Sequence, residues 1–288
     1  MKKLSLRALL RQYARTPGSL LVCLLVLLAA LVSVASVVVL IGYILVKGVP
    51  NLSWSLFAWK YTSENVSLMP ALVNTVVMTL LSLLLAVPLG LGAAIFLTEY
   101  AKRGNKFVKL VRTTAETLSG IPSIIYGLFG LLLFVTALGW GYSMLAGAFT
   151  LAIMILPLIL RTAEEALKAV PDSYREGSYG LGAGRLRTIF RVVLPSAVPG
   201  ILAGVILAVG RIVGETAALI YTAGTVAQVP PDLLSSGRTL AVHMYALSSE
   251  GIYINESYAT AVVLLVLVVG INALSAAVAK KLAKGQQR

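Results

Sequence analysis

Long apolar runs separated by short polar segments dominate the pattern of this chain. Six runs cover roughly residues 20–46, 71–98, 118–138, 143–160, 197–222 and 258–279. About 20 apolar residues in a helix span the roughly 30 Å hydrocarbon core of a bilayer. Within lipid every backbone amide needs an internal partner, which only helices and closed barrels provide. Because the runs are continuous rather than alternating, they predict an all-α integral membrane protein with six transmembrane helices.

The basic residues predict the side of the membrane on which each connection lies. Twenty of the 24 Lys and Arg residues lie in the two tails and in the connections after the second and fourth runs. Lys and Arg are retained on the cytoplasmic side, so both termini are expected inside the cell. The expected division is a basic cytoplasmic tail (1–18), a first transmembrane helix (19–46) and a core with five further spans (70–288). The core includes a cytoplasmic loop (161–195) and a periplasmic segment (223–257).

Composition excludes several classes of function. Hydrophobic residues make up 58% of the 288 residues and charged residues 12%, about half the charged fraction of a soluble domain. The net charge of +13 belongs to residues that flank apolar runs, so we expect no nucleic-acid binding. One cysteine, Cys23, allows no internal disulfide, and one histidine, His243, cannot build a multi-histidine metal site. The sequence contains neither a P-loop for ATP nor a nucleophile elbow, so we expect no catalysis by this chain.

The connection between the fourth and fifth runs carries the most informative pattern. Good helix formers precede Pro171, and a second short helix is expected from Tyr174 to about Tyr179. Glycines at positions 180, 182 and 184 then allow a left-handed turn. Such an element can dock into the groove of a partner. Alternatively, it can lie on anionic lipid, which the nearby arginines at positions 185, 187 and 191 would favour.

This connection resembles the EAA loop of ABC importer permeases. That motif has Glu-Ala-Ala, three residues, Gly, nine residues, Ile, one residue and Leu-Pro. All its spacings match, with Gly-Ser in place of Ala-Ala and Val in place of Ile. The matching residues are Glu176, Gly177, Ser178, Gly182, Val192, Leu194 and Pro195. The resemblance implies a type I importer permease fold in the bacterial cytoplasmic (inner) membrane, with residues 161–195 forming a coupling loop that contacts ATPase subunits.

Three further stretches resemble phosphate-importer permeases of the PstA type. They are Ser119–Gly130, Gly210–Gly224 and Arg238–Gly251. The resemblance implies a permease subunit of an ATP-driven importer of inorganic phosphate. It also implies partnership with a paralogous permease (PstC type), two ATPase subunits (PstB type) and a periplasmic phosphate-binding protein (PstS type). ATP and Mg would then be bound by the partner ATPases, with no cofactor in this chain.

The fifth run contains two charges, Arg211 and Glu215, four residues apart. Four residues along a continuous helix would place them on one face. Charges at membrane depth are normally paired or face water and often mark a pathway. We therefore expect Arg211 to border the translocation path with Glu215 as its partner, and Thr216 to add a hydroxyl. The alternative is a buried pair that only fixes helix packing. His243 is expected to be a packed side chain.

Other functions are less well supported by the sequence. A sister ABC importer for sulfate, molybdate or another solute would have the same membrane fold. A gradient-driven secondary transporter usually shows internal repeats and several intramembrane acids, whereas here we find no repeat and Glu215 is the only acid within a predicted span. A membrane-embedded enzyme would need a catalytic cluster, which the sequence does not contain.

Overall fold

The structure, a computed structural model, describes residues 17–102 and 104–285, and the regular structure within them is helical. Most of the predicted basic tail therefore lies outside the described residues, as do Arg103 and Arg288. The helices are α1 (Pro17–Gly48), α2 (Met69–Ile95), α3 (Lys106–Ser119), α4 (Ser123–Gly130), α5 (Met144–Lys168), α6 (Asp172–Gly180), α7 (Arg185–Thr188), α8 (Leu194–Val213), α9 (Ala217–Ile220), α10 (Leu240–Glu250) and α11 (Ile254–Gly285). π-helical turns extend α2 (Phe96–Tyr100) and α4 (Leu131–Ala137) and join α7 to α8 (Ile189–Val193).

Within residues 17–102 and 104–285, five helical segments are long and apolar enough to cross a membrane. They are Gly18–Asn51, Met69–Tyr100, Met144–Lys168, Arg185–Val213 and Ile254–Leu274. A sixth span exists if α3 and the extended α4 count together, but these are bent by 101° relative to each other. The prediction of a multi-span all-α membrane protein is confirmed, and the predicted third span corresponds mainly to the second arm of the bent pair.

Helix α5 lies at the centre of the bundle. Its side chains Leu151, Ile155 and Ile159 are almost completely buried, and they share one core cluster with residues of α2, α4 and α8. Helix α8 approaches α5 closely at its glycines, because a Cβ atom at Gly204 would overlap the side chain of Thr162. Gly200 and Gly204 of α8 thus serve packing within this chain, as small residues do where membrane helices approach closely.

Helix α1 lies at the periphery. None of the residues in its most apolar stretch is buried. It packs mainly on α11, where the rings of Tyr43 and Tyr258 meet edge to face at 5.8 Å. A Cβ atom at Gly48 would overlap the backbone of α11 at Tyr258. The contact between α1 and the rest of the chain is thus concentrated near the C-terminal end of α1.

The predicted fifth span, 197–222, is not one helix. Helix α8 ends at Val213, and the chain turns at Gly214 before the single helical turn of α9. The hydropathy of the run does not reveal this break, because the residues on both sides of it are apolar. Helix α5, by contrast, continues beyond the end of its predicted span to Lys168. The first part of the predicted cytoplasmic loop therefore extends a membrane helix.

Candidate functional site

The predicted coupling loop (161–195) contains a compact helical turn at one end of the bundle. Pro171 precedes α6, which begins at Asp172 and ends at Gly180. The turn that follows is closed by hydrogen bonds from the Gly182 amide to Tyr179 O (2.9 Å) and from the Ala183 amide to Ser178 O (3.1 Å). Gly182 has φ +80°, a left-handed conformation that favours glycine. The predicted left-handed turn is confirmed, and Gly182 provides it.

Some residues of the EAA-like motif lie on the exposed helix α6, and others lie beside a groove or in the core. Glu176 and Gly177 are exposed on α6, while the Ser178 hydroxyl lies 2.8 Å from the Thr188 hydroxyl and fixes α6 against α7. Val192 and Pro195 line a cavity of about 660 Å³. Leu194 packs against a core cluster built from α5 and α8. The motif therefore combines an exposed helix with an adjoining groove, which is the shape that helix-in-groove recognition requires.

Large apolar side chains surround α6 on its exposed side. Leu181 is 91% exposed, and Leu186 and Tyr174 are more than half exposed. An exposed apolar patch with a polar rim usually marks a site of protein contact. The turn after α6 thus has the surface chemistry of a docking element.

An ion pair anchors the coupling loop to the membrane helix α2. The Arg175 Nη2 atom donates to Glu99 Oε1 at 2.7 Å, and its Nε atom lies 3.2 Å from the same oxygen. Arg175 also donates to the carbonyls of Val170 (2.8 Å) and Leu167 (3.0 Å). Glu99, in the π-helical turn that ends α2, is 6% exposed. The hydrogen bond to Glu99 raises the pKa of Arg175, although its partial burial acts in the opposite direction.

A second arginine of the loop holds the same turn. Arg185 donates to the backbone carbonyl of Glu99, and its guanidinium lies 4.9 Å from the centre of the Tyr100 ring. The end of α2 is therefore held by Arg175 from α6 and by Arg185 from α7. Sequence reasoning missed this contact. The signal was an acidic residue, Glu99, directly after an apolar run.

Glu164 makes a similar connection between α5 and α3. Its carboxylate lies 2.6 Å from Arg112 Nη2 and 2.7 Å from Lys168 Nζ. The Glu164 side chain is only 7% exposed, whereas its two partners remain half exposed. These contacts link the central helix of the bundle to the helix that precedes the 101° bend.

The structure corrects the predicted relation between Arg211 and Glu215. Arg211 lies in the last turn of α8, which ends at Val213, so the two residues do not share one helical face. Among the ion pairs of the described residues, none joins them. Glu215 is 8% exposed, and its Oε1 atom accepts a hydrogen bond of 3.1 Å from the Ala218 amide. Glu215 caps α9, and neighbouring Thr216 is half-buried at the helix start.

Arg211 remains a half-buried charge with no carboxylate partner among the described residues. It lies within electrostatic range of the hydroxyl of Tyr126 on α4. That hydroxyl donates to the carbonyl of Leu118, at the bend between α3 and α4. Arg211 is thus placed between the broken end of α8 and the bend, where two membrane helices are interrupted.

The segment 223–257 contains a buried polar cluster around His243. His243 is buried, and its ring meets that of Tyr61 edge to face at 6.2 Å. The Arg238 guanidinium lies 5.0 Å from the centre of the same Tyr61 ring. Burial, followed by the charge of Arg238, lowers the pKa of His243 to about 3, so the imidazole is neutral at physiological pH. The prediction of a packed histidine is confirmed.

Asn74 and Thr75 of α2 attach this segment to the bundle. The Asn74 amide donates to the carbonyls of Gln228 (3.0 Å) and Arg238 (3.1 Å). The Thr75 hydroxyl accepts a hydrogen bond of 2.8 Å from the Leu240 amide. Helix α2 therefore connects this segment at its N-terminal end with the coupling loop at its C-terminal end.

Comparison with known proteins gives consistent matches. Residues 86–286 match the family described as binding-protein-dependent transport system inner membrane component. The chain is 36% identical over 239 residues to a probable ABC transporter permease protein, YqgI of Bacillus subtilis (strain 168), covering 78% of this chain and 81% of that one. It is 34% identical over 210 residues to the phosphate transport system permease protein PstA of Mycobacterium leprae (strain TN), covering 72% of this chain and 68% of that one.

A solved structure supports the fold. A chain from the crystal structure of a bacterial ABC transporter involved in import of the acidic polysaccharide alginate matches with a TM-score of 0.66. The match covers 95% of this chain and 98% of that chain at 17% sequence identity. At this identity the likeness concerns the fold alone.

Proposed function

This chain belongs to the family of binding-protein-dependent transport system inner membrane components, and on that premise we propose that its solute is inorganic phosphate. Membership makes it a non-catalytic, multi-pass permease subunit of an ABC importer in the inner membrane. ATP is bound and hydrolysed by partner ATPases in this family. The phosphate assignment is carried by the three PstA-like stretches together with the relative of that name.

Two of these stretches pack against each other, which supports a common role. A Cβ atom at Gly127, in the first stretch, would lie 2.9 Å from Ala218 Cα in the second. A Cβ atom at Gly130 would likewise overlap the side chain of Thr222. Both contacts lie beside the bend and the helix break that flank Arg211. An arginine with no carboxylate partner attracts an anion more strongly than a neutral pair would, so Arg211 is a candidate contact for phosphate on the translocation path.

The proposal includes the partners and the orientation. A paralogous permease would complete the path, ATPase subunits would bind the coupling loop through α6 and its groove, and a periplasmic binding protein would deliver the anion. The positive-inside rule supports a cytoplasmic location for residues 161–195 and a periplasmic one for residues 223–257.

Transport by the assembled complex tests the substrate. The permease would be purified with its partners, reconstituted in vesicles and supplied with its binding protein and ATP. We expect uptake of labelled phosphate, with no comparable uptake of sulfate or molybdate. ATP-driven uptake of sulfate or molybdate without phosphate would assign the chain to a sister importer and contradict the proposal, while leaving the family membership intact.

Replacing Arg211 tests its proposed contact with the anion. A hydrogen bond to a charged group contributes about 1.5–3 kcal/mol, so Arg211→Gln is expected to lower phosphate uptake per assembled complex about ten-fold or more. Glu215→Gln is the matched comparison, because the glutamine oxygen can still accept the Ala218 amide and uptake should stay near normal. Full uptake by Arg211→Gln would reduce Arg211 to a packing residue, and equal damage from Glu215→Gln would point back to a charge pair.

A further inference from the structure

A strongly basic cavity lies beside the coupling loop. It has a volume of about 910 Å³ and is bounded by the π-helical end of α2, by α3 and by α6. Seven basic and three acidic side chains line it. They are Lys102, Lys106, Lys109, Arg112, Lys168, Arg175 and Arg185, with Glu99, Glu116 and Asp172. This basic cavity is distinct from the groove of Val192 and Pro195 and from the surroundings of Arg211.

Part of this positive charge is already neutralised within the chain. Arg175 pairs with Glu99, and Arg112 and Lys168 share Glu164. Among the ion pairs of residues 17–102 and 104–285, none involves the three lysines at positions 102, 106 and 109. All three lysines are exposed. Arg185 is likewise in none of these ion pairs. The uncompensated positive charge of the basic cavity therefore lies on Arg185 and on the three lysines at and before the start of α3, where an anion would be attracted.

Helix α3 has the features of a helix that lies at a membrane surface. One side packs inward through Val108, which is 5% exposed, in a small cluster that includes Leu97 and Leu160. Phe107 and Leu110 nevertheless remain about 60% exposed next to the lysines. The 101° bend turns α3 away from the direction of the spanning segment that follows it. Basic side chains beside exposed apolar ones are typical of helices that bind anionic lipid at the interface.

The wall of the basic cavity also contains a polar atom without a partner. The Thr98 hydroxyl is buried and makes no hydrogen bond with the described residues, although Thr98 lines the cavity. It belongs to the π-helical turn Phe96–Tyr100, and such turns occur frequently at functional sites.

We propose that the basic cavity binds the phosphate group of an anionic phospholipid from the cytoplasmic leaflet. Lys102, Lys106 and Lys109 neutralise the headgroup, and the acyl chains continue along the exposed Phe107 and Leu110 into the bilayer. Because Arg175 and Tyr179 of α6 also line the cavity, the bound headgroup joins α3 to the coupling helix. Occupancy by lipid then favours coupling between ATP hydrolysis and transport. The proposal rests on the importer family and is independent of the transported solute.

The test compares lipid compositions in the assembled complex. Nanodiscs of phosphatidylcholine alone are compared with nanodiscs that contain increasing fractions of phosphatidylglycerol, and ATP hydrolysis stimulated by the solute-loaded binding protein is measured. We expect stimulation to rise with the phosphatidylglycerol fraction. Each lysine near an anionic surface contributes roughly a five-fold change in affinity. Lys106→Gln and Lys109→Gln should each raise the fraction needed for half-maximal stimulation by about that factor, and Lys109→Arg should restore it.

Lys60→Gln is the matched control, because it removes one exposed lysine that lies outside the coupling loop and does not line the basic cavity. Its phosphatidylglycerol dependence should equal that of the unchanged protein. Native mass spectrometry should also find less retained phosphatidylglycerol on the Lys109→Gln complex. An unchanged lipid dependence in both lysine variants would overturn the proposal. Full stimulation in pure phosphatidylcholine on adding glycerophosphate would also overturn it, by assigning the site to a soluble oxyanion.

Discussion

Arg175→Met is expected to uncouple ATP hydrolysis from transport, with at least a ten-fold fall in solute imported per ATP. The substitution removes all three hydrogen bonds from Arg175 to the Glu99 carboxylate. The Glu99 side chain, 5% exposed, is then left without its arginine. Removing one partner of a buried ion pair typically costs about 3–5 kcal/mol. The end of α2 would then lose one of its two attachments to the coupling loop, so movement of the loop would be transmitted poorly to α2.

The matched control is Arg161→Met. Arg161 pairs with Glu165 at 3.0 Å, but both side chains are about 60% exposed, and exposed pairs contribute about 0–1 kcal/mol. Coupling should therefore be nearly unchanged in this variant. The exchange variant Glu99→Arg with Arg175→Glu should recover part of the lost coupling, because it restores opposite charges between α2 and α6. Normal coupling by Arg175→Met at normal assembly would contradict the proposed role of the contact.

Gly182→Val is expected to have a comparably large effect on ATPase coupling. No atom lies within 4 Å of the position that a Cβ atom at residue 182 would occupy, so the valine would not clash with another part of the chain. The cost comes from the backbone, since φ is +80° and a β-branched residue at positive φ is a genuine outlier. The turn would change shape and displace Leu181 from the docking surface, while the membrane helices would insert normally.

Two other substitutions distinguish strain in the backbone at residue 182 from a change in the docking surface around it. Gly182→Asn should retain most of the transport activity, because asparagine tolerates the left-handed region. Gly180→Ala, two residues earlier, also meets open space and adopts no positive φ, so its effect should be small. The measurement is ATPase stimulation and solute uptake at equal amounts of assembled complex. Wild-type uptake by Gly182→Val would show that the turn does not take part in coupling.

Hydropathy and turn chemistry predicted most of the fold. The apolar runs located five spanning helices and the region of the bent pair, and the positions of Pro171 and Gly182 correctly predicted a short helix followed by a left-handed turn. These features depend on local sequence. A helix start at a proline and a turn at a glycine follow from the backbone restrictions of those residues.

The errors concern features that hydropathy and helical spacing do not encode. A break at Gly214 and a 101° bend before α4 leave the mean hydropathy unchanged, so the runs could not reveal them. The contact between Glu99 and Arg175 joins residues 76 positions apart in the chain. The helical spacing of Arg211 and Glu215 suggested an ion pair, but Glu215 instead binds the amide of Ala218, because the broken backbone leaves that amide in need of an acceptor.

The peripheral position of α1 has a consequence for the order in which the protein is assembled. An isolated apolar helix is already stable in a bilayer, and association with other helices is a separate, later stage. Since α1 precedes the other described helices and meets them chiefly at Tyr43 and Gly48 through α11, it can insert before they are synthesised. Its docking must wait until α11, about 200 residues later, has been made, so we expect α1 to join the bundle late although it enters the membrane early.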